Sequence, residues 1–222
     1  MPALQLYDKL LQFSLFQGMS RGDLTQIVAH TKFGFSKYTT GKRIIKEGNA
    51  CNHLYLLING RLQITSISDD HSYSIIEYAE APFIIQPERI FGLSQRFTSD
   101  FTASTDVNFI TIDKNEVRKL CENFNVFQIN CLNIFATQSQ KMQQRVWRRY
   151  PQDLKQQIVR FITDRCQYPA GHKTVFIKME QLANEINDKR INVSNELNKM
   201  KDLGLISISR GKIVIPMLEK LI

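Results

Sequence analysis

The chain has 222 residues, 43% hydrophobic and 23% charged, which are the proportions of a globular protein and exclude a disordered or fibrous one. Its 29 Lys+Arg against 21 Asp+Glu give a formal charge of +8, which favours an anionic partner. Residues 146–222 alone hold 14 basic and 8 acidic side chains, and such asymmetry points to nucleic acid or a membrane surface. The longest unbroken apolar run is Leu54–Ile58, far short of the ~20 residues a bilayer requires, so no membrane partner is expected.

Asp8 and Lys9 interrupt the first apolar stretch, and no basic n-region precedes it. No signal peptide is expected, and the location expected is cytoplasmic. Residues 4–16 and 23–29 read as short helices, the second capped by Asp23. From Thr31 to Ile112 the chain is rich in β-branched and aromatic residues, broken by Gly41, Gly48, Asn59-Gly60 and Asp69-Asp70 at hairpin intervals. Leu62 and Ile64 alternate with Gln63 and Thr65, which predicts a strand with one wet face. Many short strands at this spacing predict a sandwich or jelly roll, not a parallel sheet.

Asp113 can cap a helix running through Leu120, and a longer helical pattern spans Asn125 to Arg149. Its apolar residues Phe127, Cys131, Phe135, Met142 and Val146 recur about every 3.5 residues, a seam for a second helix or for the chain's own core. Gln138, Ser139 and Gln140 interrupt that stripe, which suits a dimer interface better than a core. Tyr150-Pro151 breaks the helix, and Pro151 suits the first turn of the next one. Leu154, Ile158, Phe161 and Ile162 make that next helix amphipathic. The expected division is therefore residues 1–123, a helix at 124–149, and a C-terminal domain at 150–222.

In that last domain Val175-Phe176-Ile177 reads as a strand, Glu180–Ile186 as a helix, Asn187-Asp188 as a tight turn and Arg190–Leu203 as a second helix. Val193, Leu197 and Met200 form the buried stripe of the second helix, and Gly204 ends it. A hairpin follows across Arg210-Gly211. Helix, turn, helix and β-wing make a winged helix-turn-helix, whose second helix enters the DNA major groove. At about 100° per residue, the face opposite Val193 carries Ile191, Asn195, Asn198 and Asp202, with Arg190 and Lys199 beside it. Arg can bond guanine bidentately, Asn can bond adenine, and Ile can meet a thymine methyl. Lys189, Lys199, Arg210 and Lys212 are candidates for phosphate contact. A face that is merely solvated is the alternative.

The four cysteines show no C-x-x-C and no metal-ligand spacing, so they are read as small buried apolar residues and no metal is expected. None of the G-x-S-x-G, H-E-x-x-H, G-x-x-x-x-G-K-[ST] or G-x-G-x-x-G motifs occurs, so no enzyme is expected.

Four segments in order carry a resemblance: Leu15-Phe16-Gln17-Gly18-Met19; Gly41-Lys42-Arg43-Ile44-Ile45-Lys46-Glu47-Gly48; Leu54 through Leu62; and Leu182-Ala183 through Leu205-Ile206. Together they resemble the Crp/Fnr family of bacterial transcription regulators over nearly the whole chain. The resemblance implies an α+β chain: an N-terminal cyclic-nucleotide-binding-type jelly roll, a long dimerisation helix and a C-terminal winged helix-turn-helix. It also implies a homodimer on a palindromic operator, with Arg190, Ile191 and Asn195 at the base-reading positions and RNA polymerase as a further candidate partner. Lys189 stands where the family has Ser or Thr. Members that bind cyclic AMP have Gly-Glu-Leu at the phosphate cassette and an Arg-Ser or Arg-Thr about ten residues later. Here Phe91-Gly92 is followed by Leu93-Ser94, and Phe97-Thr98 stands in place of Arg-Ser, with Arg96 one position off. Gly92, Arg96 and Thr98 are the candidate effector residues. The departures argue against cyclic AMP, and haem (through His30, His53, His71 or His172) or another small effector stays open. The rival reading is a nucleotide-sensing module whose winged helix contacts a protein.

Overall fold

The computed structural model describes residues 3–222, with side chains given for all of these except residues 3–5 and Val146. The chain folds into two compact units, Met1–Leu62 with Ala79–Val146, and Gln63–Tyr78 with Trp147–Ile222. The second unit thus takes a piece from the middle of the strand-rich region, which the expected contiguous division does not include.

The first unit opens with α1 (Ala3–Leu10) and α2 (Arg21–His30). The cap of α2 is Ser20, not Asp23: the Ser20 hydroxyl accepts the Asp23 N–H at 3.1 Å and donates to the Asp23 carboxylate at 2.8 Å. Asp23 lies in the first turn, where its charge also suits the helix dipole. Strands follow as β1 (Phe33–Tyr38), β2 (Arg43–Ile45) and β3 (His53–Asn59); β4 (Arg61–Ile67) and β5 (Tyr73–Glu80) form a hairpin; β6 (Phe83–Ile84), β7 (Asp100–Ala103) and β8 (Val107–Asp113) complete the set. One antiparallel sheet runs β1-β8-β3-β6, with Phe35 opposite Ile110 and Leu56 opposite Ile110 on its other side. β2 pairs antiparallel with β7. Gly60 turns β3 into β4 with φ +90°, and a Cβ there would lie 2.3 Å from the Asp106 carbonyl oxygen, so only glycine fits.

α3 (Lys114–Asn123) is capped by Asp113, whose carboxylate accepts the Asn115 N–H at 2.8 Å. After Phe124 the chain continues as α4 (Asn125–Trp147). Its first turns pack on the unit's own core: Phe127 is fully buried with its ring 5.3 Å from Phe16, and the Asn130 amide donates to the Leu15 and Gln17 carbonyls.

The second unit is a winged helix with an added hairpin. It contains α5 (Leu154–Arg165), β9 (Lys173–Ile177), α6 (Met179–Glu185), α7 (Arg190–Asp202), β10 (Ser207–Ser209) and β11 (Lys212–Ile215). Pro151 is not in the first turn of α5, because Asp153 caps that helix by accepting the Gln156 N–H at 3.4 Å and so fixes its start at Leu154. The sheet order is β10-β11-β9-β5, with β4 outside β5. β5 pairs antiparallel with β9, setting Tyr73 opposite Ile177 and Ile75 opposite Val175. Ile75 thereby joins the buried cluster of Ile158, Phe161, Val175, Leu182, Val193, Leu197 and Ile213. Each such side chain contributes about 1.5–3 kcal/mol when buried. Below them, the Lys173 ammonium lies 3.0 Å from the Glu77 carboxylate, and each side chain is 1% exposed. Glu77 also accepts the N–H groups of Gln167 (2.8 Å) and Tyr168 (3.2 Å), and Lys173 donates to the Ala170 carbonyl at 2.8 Å. A buried ion pair persists only when its remaining bonds are satisfied in this way.

Candidate nucleic-acid interface

α6 and α7 are joined by a turn in which Asn187 takes φ +54°, a left-handed value that Asn tolerates better than most residues. The turn's amides are satisfied locally: Asp188 N–H donates to the Ala183 carbonyl at 3.0 Å, and the Asp188 carboxylate accepts from Lys189 N–H and from the Asn192 amide at 2.8 Å. Lys189 is the residue at the N-cap of α7 and makes no side-chain cap bond. The Asp188 carboxylate engages the Lys189 N–H and the Asn192 side chain but no backbone N–H of the first turn of α7, and the Lys189 side chain is exposed to solvent.

Val193, Leu197 and Met200 point into the core, as their spacing predicts. That orientation turns Arg190, Ile191, Asn195, Asn198 and Lys199 outward, and all five are exposed. Ile191 is 63% exposed, an apolar side chain on an otherwise polar face. Lys199 is held 3.0 Å from Glu196 on the same helix. Gly204, at φ +70°, ends α7, and the wing turns at Arg210-Gly211 with Arg210 exposed. Lys212 is half-buried, its ammonium 5.6 Å from the centre of the Phe176 ring. A groove of about 580 Å³ separates the start of α6 from the wing and is lined by Lys178, Arg190, Ser209, Arg210 and Lys212 among others. Four cations against the one carboxylate of Glu180 on this groove make it suitable for a polyanionic backbone.

The α4 stripe divides. Phe127 and Cys131 are buried inside their own unit, Phe135 is half-buried, and Met142 is exposed, while the Val146 side chain lies outside the described residues. Phe127 and Cys131 are thus unavailable to a second helix without unpacking the chain. The exposed apolar side chains of the first turns are Ile129 (55%) and Leu132 (59%), which the stripe anchored on Phe127 passed over. A pattern started at Ile129 would have found them.

In the roll, Gly92, Arg96 and Thr98 each engage a different partner. The Gly92 carbonyl accepts from the Gln95 amide at 2.9 Å, the Arg96 guanidinium donates to the Gly48 carbonyl at 2.8 Å, and Thr98 exchanges two bonds with Gln86. Phe97 is buried among rings, edge-on to Tyr55 at 6.1 Å and to Phe101 at 6.4 Å, and Tyr55 is edge-on to Phe109. Burial there pushes the Tyr55 hydroxyl above its ordinary range, with Tyr38 and Cys51 adding to it. The short turn Pro87–Arg89 carries a polar pair that sequence reasoning missed. Glu88 lies 3.8 Å from Arg89 and is raised by burial, and the buried Arg89 Nε makes no hydrogen bond. No spacing or motif marks that pair in the sequence. His30, His53 and His71 are exposed, with His53 3.8 Å from Asp113, and His172 packs 5.7 Å from Tyr78. Among the described residues no group of three or more His, Cys, Asp or Glu is placed to hold a metal ion, and no helix is long and apolar enough to cross a membrane.

Residues 35–124 match the cyclic nucleotide-binding domain family, and residues 156–222 match the Crp-like helix-turn-helix domain. The chain belongs to the Crp/Fnr family. It is therefore a DNA-binding transcription regulator of that class. Among solved structures, this Crp/Fnr chain is similar to the catabolite activator protein of Thermus thermophilus, at 14% identity over 94% of this chain and 96% of that one, with a TM-score of 0.51. It is similar to a regulator assigned to the Crp/Fnr family from Eubacterium rectale at 18% identity, covering 95% and 96% of the two chains, TM-score 0.51. The c-di-GMP-responsive global regulator CLP of Xanthomonas campestris is similar at 17% identity, covering 89% and 99%, TM-score 0.50. At these identities the likeness is one of fold. Among curated proteins no relative matches the sequence.

Proposed function

We propose that this Crp/Fnr chain binds a palindromic operator in the cytoplasm as a homodimer, with α7 of each protomer in the major groove. The observation that carries the reading is the exposed face of α7, where Ile191 sits beside Arg190, Asn195 and Asn198 opposite the buried Val193–Leu197–Met200 stripe. Arg190 and Asn195 supply the bidentate donors that discriminate guanine and adenine, and Ile191 supplies contact for a thymine methyl. Lys189, Lys199, Arg210 and Lys212 hold phosphates and set the register. The two protomers meet along α4 through Ile129 and Leu132, whose exposed apolar surface needs a cover. RNA polymerase is a further partner of the assembled dimer.

The roll takes a small effector other than cyclic AMP, or none. A cyclic phosphate leaving water needs a fixed charged partner, and an unpaired buried charge costs several kcal/mol. Phe97, which the resemblance aligns with the family's arginine, is packed among rings, and the Arg96 guanidinium already donates to the Gly48 carbonyl. Selection of bound duplexes from a random pool tests the reading. Enrichment of a palindrome with two protomers per duplex supports it, and an unenriched pool together with capture of a protein by the same face would favour the rival module.

A further inference from the structure

We propose that Cys121 and Cys131 form a peroxide-sensitive dithiol switch at the corner between α3 and α4. The sulfurs lie 3.9 Å apart in mutual hydrogen-bond contact, although ten residues separate them in sequence. The two thiols differ in ways that assign roles. Cys121 is partly exposed and Cys131 is 4% exposed. When Cys121 ionises, the Cys131 S–H donates to it, which lowers the Cys121 thiol below its ordinary range. The same bond and burial push Cys131 well above that range. An accessible thiol that ionises readily, beside a buried partner that resolves it, is the layout of redox-sensing cysteines. The remaining thiols lack it. Cys51 is fully buried, donates to the His53 carbonyl and is pushed up to about 11 by burial and by Glu88, while Cys166 lies in the core of the second unit.

The oxidant is a hydroperoxide. The Cys121 thiolate attacks the peroxide, forming an S–O bond as the O–O bond breaks, and the departing alkoxide or hydroxide takes up a proton. Cys131 then attacks the Cys121 sulfur, the S–S bond forms, the S–O bond breaks, and the hydroxide leaves as water with the Cys131 proton. Two thiols and one hydroperoxide thus give one disulfide, one alcohol or water, and one water. A disulfide holds its sulfurs at about 2.05 Å, so closing the contact draws Cys131 toward α3 by nearly half the present separation. Cys131 shares its turns of α4 with Ile129 and Leu132, so the same movement displaces the exposed apolar pair. The output rests on the reading of that pair as the protomer seam; the thiol chemistry does not.

The test treats the reduced full chain with hydrogen peroxide, alkylates the free thiols and digests with trypsin. Cleavage after Lys119 and Lys141 leaves both cysteines on one peptide, so the disulfide appears as that peptide unalkylated and two hydrogens lighter, restored by dithiothreitol. Cys131→Ser is expected to accumulate a sulfenic acid on Cys121 that dimedone traps, and Cys121→Ser to leave Cys131 reduced. The oxidised protein is expected to bind its selected duplex about fivefold or more weakly, reversibly, with no such loss in Cys121→Ser. A peptide that stays fully alkylated while Cys51 or Cys166 reacts would overturn the proposal. So would a disulfide that leaves DNA affinity unchanged. A reduced protein that binds no duplex would overturn the DNA reading, and the switch's output with it.

Discussion

In the second unit a fully buried ion pair, Glu77 with Lys173, ties a hairpin drawn from residues 63–78 onto β9. In the first unit the region around Phe97 is filled by the rings of Tyr55, Phe97, Phe101 and Phe109. The contrast lies in what each arrangement tolerates. Rings need no partner of fixed charge and simply fill space, so this part of the roll stays packed without an ionic contact. A buried charge pair contributes little net stability but penalises any state in which one partner is missing. The hairpin is therefore held in register by a penalty on leaving, and the roll's interior by volume.

Glu77→Ala should separate these two modes most clearly. It strands the Lys173 ammonium in the core and should cost about 3–5 kcal/mol in urea unfolding of the full chain, while Glu77→Leu combined with Lys173→Met should recover most of that loss. An equal effect for the single and double variants would show that the pair is not what retains the hairpin. Phe101→Ala should cost a similar ~3–5 kcal/mol in the first unit, as a cavity penalty that no second substitution of charge relieves. If the proposed homodimer forms along α4, Leu132→Asp should convert it to monomer in sedimentation at micromolar protein, with thermal unfolding of each unit little changed; a dimer that survives it would remove α4 as the seam. Calorimetric titration with cyclic AMP should show no binding in the micromolar range, and binding abolished by Arg96→Ala would contradict the packed roll.

The smallest effect concerns acid. At the hairpin tip the Asp70 carboxylate accepts from the Ser68 hydroxyl and from the Ser72 N–H and hydroxyl, which hold it at about 2. A carboxyl lowered on folding stabilises fully above its ordinary value near 4 and loses that contribution as pH falls through about 2. Asp70→Asn should flatten this acid limb of the unfolding midpoint, and an unchanged limb would assign it to other carboxylates.

The order of elements and the exposed face of α7 were legible because they rest on local periodicity. Val193, Leu197 and Met200 at spacings of four and three settle which way α7 faces, and Gly204 and Asp113 mark helix ends by their own chemistry. Two features depend on partners distant in sequence and leave no local mark. The 63–78 hairpin reads as an ordinary alternating strand pair, and only the Ile75–Val175 register and the Glu77–Lys173 pair reveal that it belongs with the winged helix. Cys121 and Cys131 look like isolated apolar residues until the corner at Phe124 brings their sulfurs together. On α4 the periodicity is real, but its Phe127 and Cys131 pack into the chain's own unit, because sequence alone does not say which of two apolar stripes the chain keeps for itself.

The central claim is that α7 reads bases while the wing holds phosphates. Its most direct test is binding of the selected duplex across a salt series by the wild-type chain, Arg190→Ala and Lys212→Ala. Arg190→Ala should lose about 1–3 kcal/mol on the preferred site and relax specificity at one base position. Lys212→Ala should weaken binding to all sequences alike and reduce the salt slope by about one. Unchanged specific binding by Arg190→Ala would contradict the account.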